Sequence, residues 1–335
     1  MGGHISKCNN CGKETISYNS CRNRHCPKCQ ATNRERWIID RESELLPVPY
    51  YHIVFTLPQT FNELLPLHDK AVYSALFAAS WSTIQSFAAD PKYLGAKTGM
   101  ISILHTWGQQ LWLHPHVHCI VPGGGVTQSD KWKMAKYKDK YLFPKRAMSM
   151  VFRARFMAEL RKKMDIPQHI GKQAFKKKWI VYAKRPFASP KMVVEYLGRY
   201  THKIAISNHR LLQVNDHTVS FKYKDYREGG KQKQATLSGV EFLRRFASHI
   251  LPPGFVRIRH YGFLASRNKP VDLNIAKKHL NQPRWKKIKY SWTEIATEKL
   301  NYNPLQCPCC KKETMLIIKI MEPDRGPPPY QIPYA

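Results

Sequence analysis

Three histidines alternate in the stretch Trp112-Leu-His114-Pro-His116-Val-His118-Cys-Ile-Val121, which runs into Pro122, Gly123, Gly124 and Gly125. In an extended strand alternate side chains share a face. His116 and His118 would then present two imidazoles side by side, with Val117 turned into the core. Cys119, Ile120 and Val121 continue the strand, and the glycines end it. Two imidazoles on a rigid strand make half of a metal site. An arbitrary His-x-His is equally a polar strand face, but the apolar flanks and the abrupt glycine stop favour a metal here. Two imidazoles alone hold Mg²⁺ poorly, because it prefers oxygen. A third, oxygen-bearing ligand is therefore expected for Mg²⁺ or Mn²⁺. Gln109, on the turn before the histidine strand, is the first choice, and His105 is the fallback. His114 is assigned to support or to facing a bound partner rather than to the ion.

Two other constellations carry chemistry. Cys8-Asn-Asn-Cys11 and Cys26-Pro-Lys-Cys29 are Cys-x-x-Cys knuckles separated by a short polar stretch. Each offers two thiolates, and the four together suit one tetrahedral structural Zn²⁺. A redox dithiol would need only one pair. His4, Cys21 and His25 are further donors, which leaves room for a second ion. Tyr196 and Tyr200 stand four apart in a segment that Pro190 opens as a helix. They lie on one helix face, where ordinary packing is the plain reading and a pair of nucleophiles the sharper one.

The positioning elements follow from hydrophobic periodicity. Residues 50–58 are β-branched and aromatic and end at Pro58; residues 100–107 read as a second strand leading into the histidine strand. Residues 61–88 carry Leu, Ala and Phe at helical spacing and suggest two helices, and residues 30–45 and 150–164 read as charged helices. Strands mixed with helices in this order predict an α+β fold with an antiparallel sheet. Residues 211–223 predict strands turning at Asn215, with a hairpin loop at 226–231, then an amphipathic helix over 240–250 and a strand holding Arg257 and Arg259.

The 335-residue chain is 43% hydrophobic, enough for a sizeable core, and carries a formal net charge of +32. Such an excess of Lys and Arg repels itself unless a polyanion is near, so nucleic acid is the expected partner. No apolar run is long enough to span a bilayer and no export signal opens the chain; a cytoplasmic protein without a membrane partner is expected. The chain begins a few residues before Cys8, which is compatible with a shortened reading frame. Arg22 and Arg24 on the cysteine module suit phosphate contacts. Lys177, Lys178 and Trp179, and later Lys286 and Lys287, interleave charge with aromatic rings as a single-strand path does, and Arg199 joins them from the tyrosine helix.

The cysteine module followed by Val54-Phe-Thr-Leu-Pro58, His114-Pro-His-Val-His118 and Glu195-Tyr-Leu-Gly-Arg-Tyr-Thr-His202 resembles the insertion-sequence-ninety-one family of transposases, of the HUH (His-hydrophobic-His) superfamily. The resemblance runs from the cysteines to about residue 265 and rests on the order of the motifs. It implies an amino-terminal zinc-binding domain, a nuclease core with a five-stranded antiparallel sheet and flanking helices, and rolling-circle transposition of single-stranded DNA through a 5′-phosphotyrosine. His116 and His118 match the family's metal histidines, and Tyr196 and Tyr200 its tyrosines, although some relatives keep only one. The partners implied are the single-stranded ends of a mobile element and its target. A plasmid or phage replication initiator would share this chemistry, and a zinc-dependent DNA-binding protein without catalysis is the reading from another class. The expected organisation is a zinc-binding domain over 1–45, a nuclease core over 46–210, a basic DNA-contacting region over 211–300 and a Cys-containing tail over 301–335 that is partly disordered from Pro323 on. The single pair Cys307 and Cys310 in that tail is a weak zinc signal, able to complete a site with distant residues.

Overall fold

The computed structural model describes residues 2–21, 23, 26, 30–136, 141–187, 189, 192–193, 196, 198, 205–252 and 254–323. The chain divides into two compact units, one made of Met1–Trp37 with Lys289–Ala335 and the other of Ile38–Ile288. The division differs from the expected one at both ends. The described residues 301–323 are no separate tail, because the strand Met315–Met321 pairs antiparallel with Gly3–Cys8, and residues 324–335, where a disordered end is expected, lie outside the described residues. Nor does residue 210 bound the core, because the strand Ile258–Gly262 pairs with Gly99–Trp107.

The larger unit is built on a five-stranded sheet in the order Ile258–Gly262, Gly99–Trp107, Leu113–Pro122, Tyr50–Thr56, Val181–Ala183, with every pairing antiparallel. One face carries Tyr51, Ile53, Phe55, Met100, Leu104, Val117, Cys119 and Val121, all in the main core. The helices Leu65–Ala89 and Lys145–Arg161 supply Leu76, Phe77, Phe152 and Phe156 to that core. The first of these is two helical stretches joined across a kink at His68, as expected for this segment, and is preceded by a 3₁₀ turn over Gln59–Leu64. Its only Pro, Pro66, sits in the first turn, where it interrupts nothing.

The opposite face carries the chemistry. Register places His118 between Ile103 and Val54, His116 between His105 and Thr56, and Ile120 between Ile101 and His52. Buried Val193, from the tyrosine segment, lines a small cavity with Ile101, Ile120 and Leu264 on this side. In the same segment Gly198 leaves room for Ile38, whose Cδ1 a Cβ would meet at 2.4 Å. A second sheet, Leu211–Val214, Thr218–Asp225 and Lys231–Ser238, packs Phe221 against Phe242 and Phe246 of the helix Gly239–Ala247.

The smaller unit holds the three-stranded sheet Met315–Met321, Gly3–Cys8, Glu14–Tyr18 and the helix Trp292–Lys299, which starts on a capping box of Ser291 and Glu294. Its sulfur-rich cluster comprises Cys8, Cys307 and Met315 with Cys310 against them. Among the described residues no helix is long and apolar enough to cross a membrane.

Candidate active site

His105, His116 and His118 converge. One ring nitrogen from each lies within 4.8 Å of the others. His105 and His116 are direct cross-strand partners, and alternation puts His118 on the same face. His116 Nδ1 donates to the His114 carbonyl at 2.6 Å, which leaves Nε2 for an ion. Although the ring is open to the cavity above it, burial pushes its pKa down to about 4, so it is neutral and has a lone pair at physiological pH. Burial also lowers the pKa of His114, whose ring packs 5.1 Å from that of His116.

His118 Nδ1 lies 2.8 Å from Nε2 of His52, on the adjacent strand. The two rings are within 6° of parallel. The Tyr196 ring in turn packs 5.0 Å from that of His52 and 5.3 Å from Phe187. Tyr196 is thus one ring removed from a histidine of the cluster. Tyr200 and Arg199 lie outside the described residues.

An open cavity of about 610 Å³ lies over the cluster, lined by His105, His116, His118, Gln109, Trp112 and Asp225 among others. Gln109, expected as the third ligand, is not in the cluster: its Oε1 accepts the Lys224 N–H at 3.4 Å, and its carbonyl accepts from Arg210. His105, the fallback, lies beside His116 because it faces it directly across the ladder, whereas Gln109 sits on the turn beyond. The Arg245 guanidinium stacks 3.4 Å from the centre of the half-exposed Trp112 ring and is anchored to Glu241 at 2.6 Å. Tyr226, also on the cavity wall, is exposed.

The proposed DNA residues separate. Lys177, Lys178, Lys286 and Lys287 are exposed, while Arg22 and Arg24 lie outside the described residues. Trp179 does not join them. It is 5% exposed, packs on Phe61, Phe152 and Phe156, and donates Nε1–H to the Ala174 carbonyl. Alternation turns Trp179, Val181 and Ala183 inward and leaves Tyr182 exposed on the histidine face, paired with Val54.

The cysteines also pair differently from expectation. Cys8, Cys11, Cys307 and Cys310 bring four sulfurs within 4.8 Å of one another, with Cys8–Cys310 and Cys11–Cys307 at 3.6 Å. A tetrahedral Zn²⁺ with Zn–S bonds of about 2.3 Å needs sulfurs about 3.8 Å apart, so the set fits zinc. The two knuckles match: Asn10 and Cys11 N–H groups point at Cys8 Sγ, and the Cys309 N–H points at Cys307 Sγ. Each chain leaves its knuckle through a left-handed residue, Gly12 at φ 72° and Lys311 at φ 61°. The Thr314 hydroxyl, 3.0 Å away, and then the Cys11 N–H hold the Cys8 thiol down at about 6, favouring the thiolate that zinc needs. Cys26 is not part of this cluster, and Cys29 lies outside the described residues.

Residues 99–270 match the family model described as "Putative transposase", and residues 1–57 match the model "Transposase zinc-binding domain". A relative from Sinorhizobium fredii, "Putative transposase y4qJ", is 40% identical over 98% of this chain and 87% of its own length. The chain belongs to the insertion-sequence-ninety-one family of transposases. The transposase for insertion sequence element IS801, from Pseudomonas savastanoi pv. phaseolicola, is 31% identical over 74% of this chain and 62% of its own length. No solved structure matches the chain at a significant level. The transposase match spans His105, His116, His118 and Tyr196; the zinc-domain match holds Cys8 and Cys11 but ends long before Cys307 and Cys310. This transposase therefore has a candidate zinc site completed from outside its zinc-domain match. The sequence signal for it was the shared form of the two knuckles, each followed by a lysine-bearing return, at Lys13 and at Lys311 and Lys312. His52 had no such signal beyond its alternation with Val54 and Thr56 on the strand before Pro58.

Proposed function

We propose that this transposase cleaves and rejoins single-stranded DNA through a 5′-phosphotyrosine in rolling-circle transposition, with the five-stranded sheet as an HUH-type nuclease core. The reading rests on one observation above all. A three-histidine cluster opens into a cavity, and Tyr196 packs on His52, the ring bonded to His118. A divalent ion held by His105, His116 and His118 would polarise a non-bridging phosphate oxygen. Three imidazoles suit Mn²⁺ better than Mg²⁺, which would draw most of its shell from water and phosphate.

The residues divide the rest of the work. Tyr196 attacks phosphorus through its phenolic oxygen; the P–O3′ bond breaks, the phenol yields its proton, and the departing 3′ oxygen takes one up. Attack by a 3′-hydroxyl on the phosphotyrosine reverses these steps and joins strands without a nucleotide cofactor. Tyr200, four residues on, would serve a second cleavage. Trp112, Tyr226 and Tyr182 offer exposed rings to splayed bases, and Lys177, Lys178, Lys286 and Lys287, with Arg22, Arg24 and Arg199, offer charge to the backbone. The four-cysteine zinc site has a structural role.

The test mixes protein, Mn²⁺ and a labelled single strand carrying an element end, then looks for an adduct that survives denaturation. The adduct is expected from the wild type and not from the double variant Tyr196→Phe, Tyr200→Phe. An adduct from the double variant would remove both tyrosines from the chemistry.

A further inference from the structure

We infer that His52 is a positioning residue that fixes which ring nitrogen of His118 faces the ion. The inference rests on the reading of His105, His116 and His118 as a metal site. A neutral imidazole carries one proton, and only the nitrogen without it can bind a metal. The 2.8 Å contact between His118 Nδ1 and His52 Nε2 holds one proton between two nitrogens. If that proton belongs to His118 Nδ1, the lone pair of His118 is on Nε2 and coordination follows. If it belongs to His52 Nε2, the other proton of the pair moves to His118 Nε2 and coordination through that atom is lost. Metal binding therefore requires His52 to accept through Nε2 and to carry its own proton on Nδ1. Ligand histidines are commonly held in this way by a partner on the other ring nitrogen.

His116 shows the same device in a fixed form. Its Nδ1 donates to a backbone carbonyl, which can only accept. The near-parallel rings of His52 and His118 hold the second bond in plane, as a lone-pair acceptor demands. A packing role alone does not explain His52. It is 2% exposed, and its Nδ1 has no hydrogen-bond partner among the described residues. Its neighbours include the Phe187 and Tyr196 rings, beside which an apolar side chain would avoid burying an orphan nitrogen. The histidine is an unfavourable choice for the core and a favourable one for His118.

The experiment compares Mn²⁺ affinity, by titration of the free-ion paramagnetic resonance signal, in the zinc-loaded full chain and its variants, with the melting temperature of the zinc-loaded chain without Mn²⁺ alongside. His52→Leu is expected to weaken Mn²⁺ binding about 10- to 100-fold without lowering that manganese-free melting temperature. His52→Gln, whose Oε1 reaches the place of Nε2 and accepts, is expected to restore most of the affinity. Wild-type affinity in His52→Leu would overturn the inference, as would equal loss in both variants together with a lower melting temperature. If the wild type binds no Mn²⁺, or binds it no better than His116→Ala, the metal site itself is wrong and the inference falls with it.

Discussion

The two candidate metal clusters of this transposase are built in opposite ways. The cysteine site takes its ligands from the two ends of the chain, Cys8 and Cys11 against Cys307 and Cys310, and fills all four places of a tetrahedron with sulfur. The buried cluster around it is little more than the cysteines and Met315. The histidine site takes its ligands from two adjacent strands, between His105 and His118, and lies on a sheet whose other face carries an extensive aromatic and aliphatic core. It opens to a cavity. Where the core is too small to hold the chain, the ion must supply the folding energy. Where the core is large, the sheet itself holds the histidines, and on the proposed reading an ion there would be free to do chemistry.

This contrast can be broken at either end. Cys307→Ser removes one sulfur and should release zinc, unfold the pairing of Gly3–Cys8 with Met315–Met321, and leave the larger unit folded. Structural zinc contributes about 10–16 kcal/mol in small domains, so the loss should be plain in metal analysis and in proteolysis of the two ends. Zinc retained at one per chain with intact termini would show that other ligands hold it. His116→Ala should do the reverse. The adduct rate should fall by about 10³-fold or more, as expected when several kcal/mol of charge stabilisation are lost, while the melting temperature stays within a few degrees. A large fall in melting temperature would make the histidine cluster structural.

Acid should sharpen the comparison on the histidine side. Burial holds His249 at about 4 and His260 at about 3, the latter also beside Arg41 and Lys269. His249 sits neutral between the Thr106 hydroxyl, 3.1 Å from Nδ1, and the Leu111 carbonyl, 3.0 Å from Nε2. Because the unfolded chain binds these protons near 6.5, each group destabilises the fold progressively as pH falls from about 6.5 to its folded value, and has no effect above that range. Denaturant unfolding of the metal-free chain should lose roughly 3–4 kcal/mol per histidine over this window, and a flat profile would contradict the assignment. The smallest effect belongs to the cysteine knuckle. Gly12 takes φ 72° and faces open space where a Cβ would stand, so Gly12→Ala should cost only the left-handed strain, about 1–2 kcal/mol, read as a modest weakening of zinc retention against a chelator. A much larger loss would mean that the knuckle tolerates no strain at all.

The sheet was largely legible because period-two alternation marks which residues share a face, and that rule carried His116, His118 and the strand before Pro58 to their places. The same rule applied to Trp179 would have turned it inward with Val181 and Ala183; the surrounding lysines drew it outward instead. The third histidine was less legible because it depends on register, and the ladder between Gly99–Trp107 and Leu113–Pro122 shifts between His105 and Trp107. The cysteine pairing was not legible because the nearest knuckles in sequence are not the nearest in space. Strand pairing between residues some three hundred positions apart brings Cys307 and Cys310 to Cys8 and Cys11, and the shared form of the two knuckles marks them as alike without marking them as neighbours.

The division of labour between the two clusters is tested most directly by anomalous diffraction from crystals of the zinc-loaded protein grown with Mn²⁺, with data at both metal edges. The account predicts a zinc peak among the sulfurs of Cys8, Cys11, Cys307 and Cys310, and a manganese peak against His105, His116 and His118. A zinc peak on Cys26 and Cys29 in place of Cys307 and Cys310, or a manganese peak away from the three histidines, would contradict it.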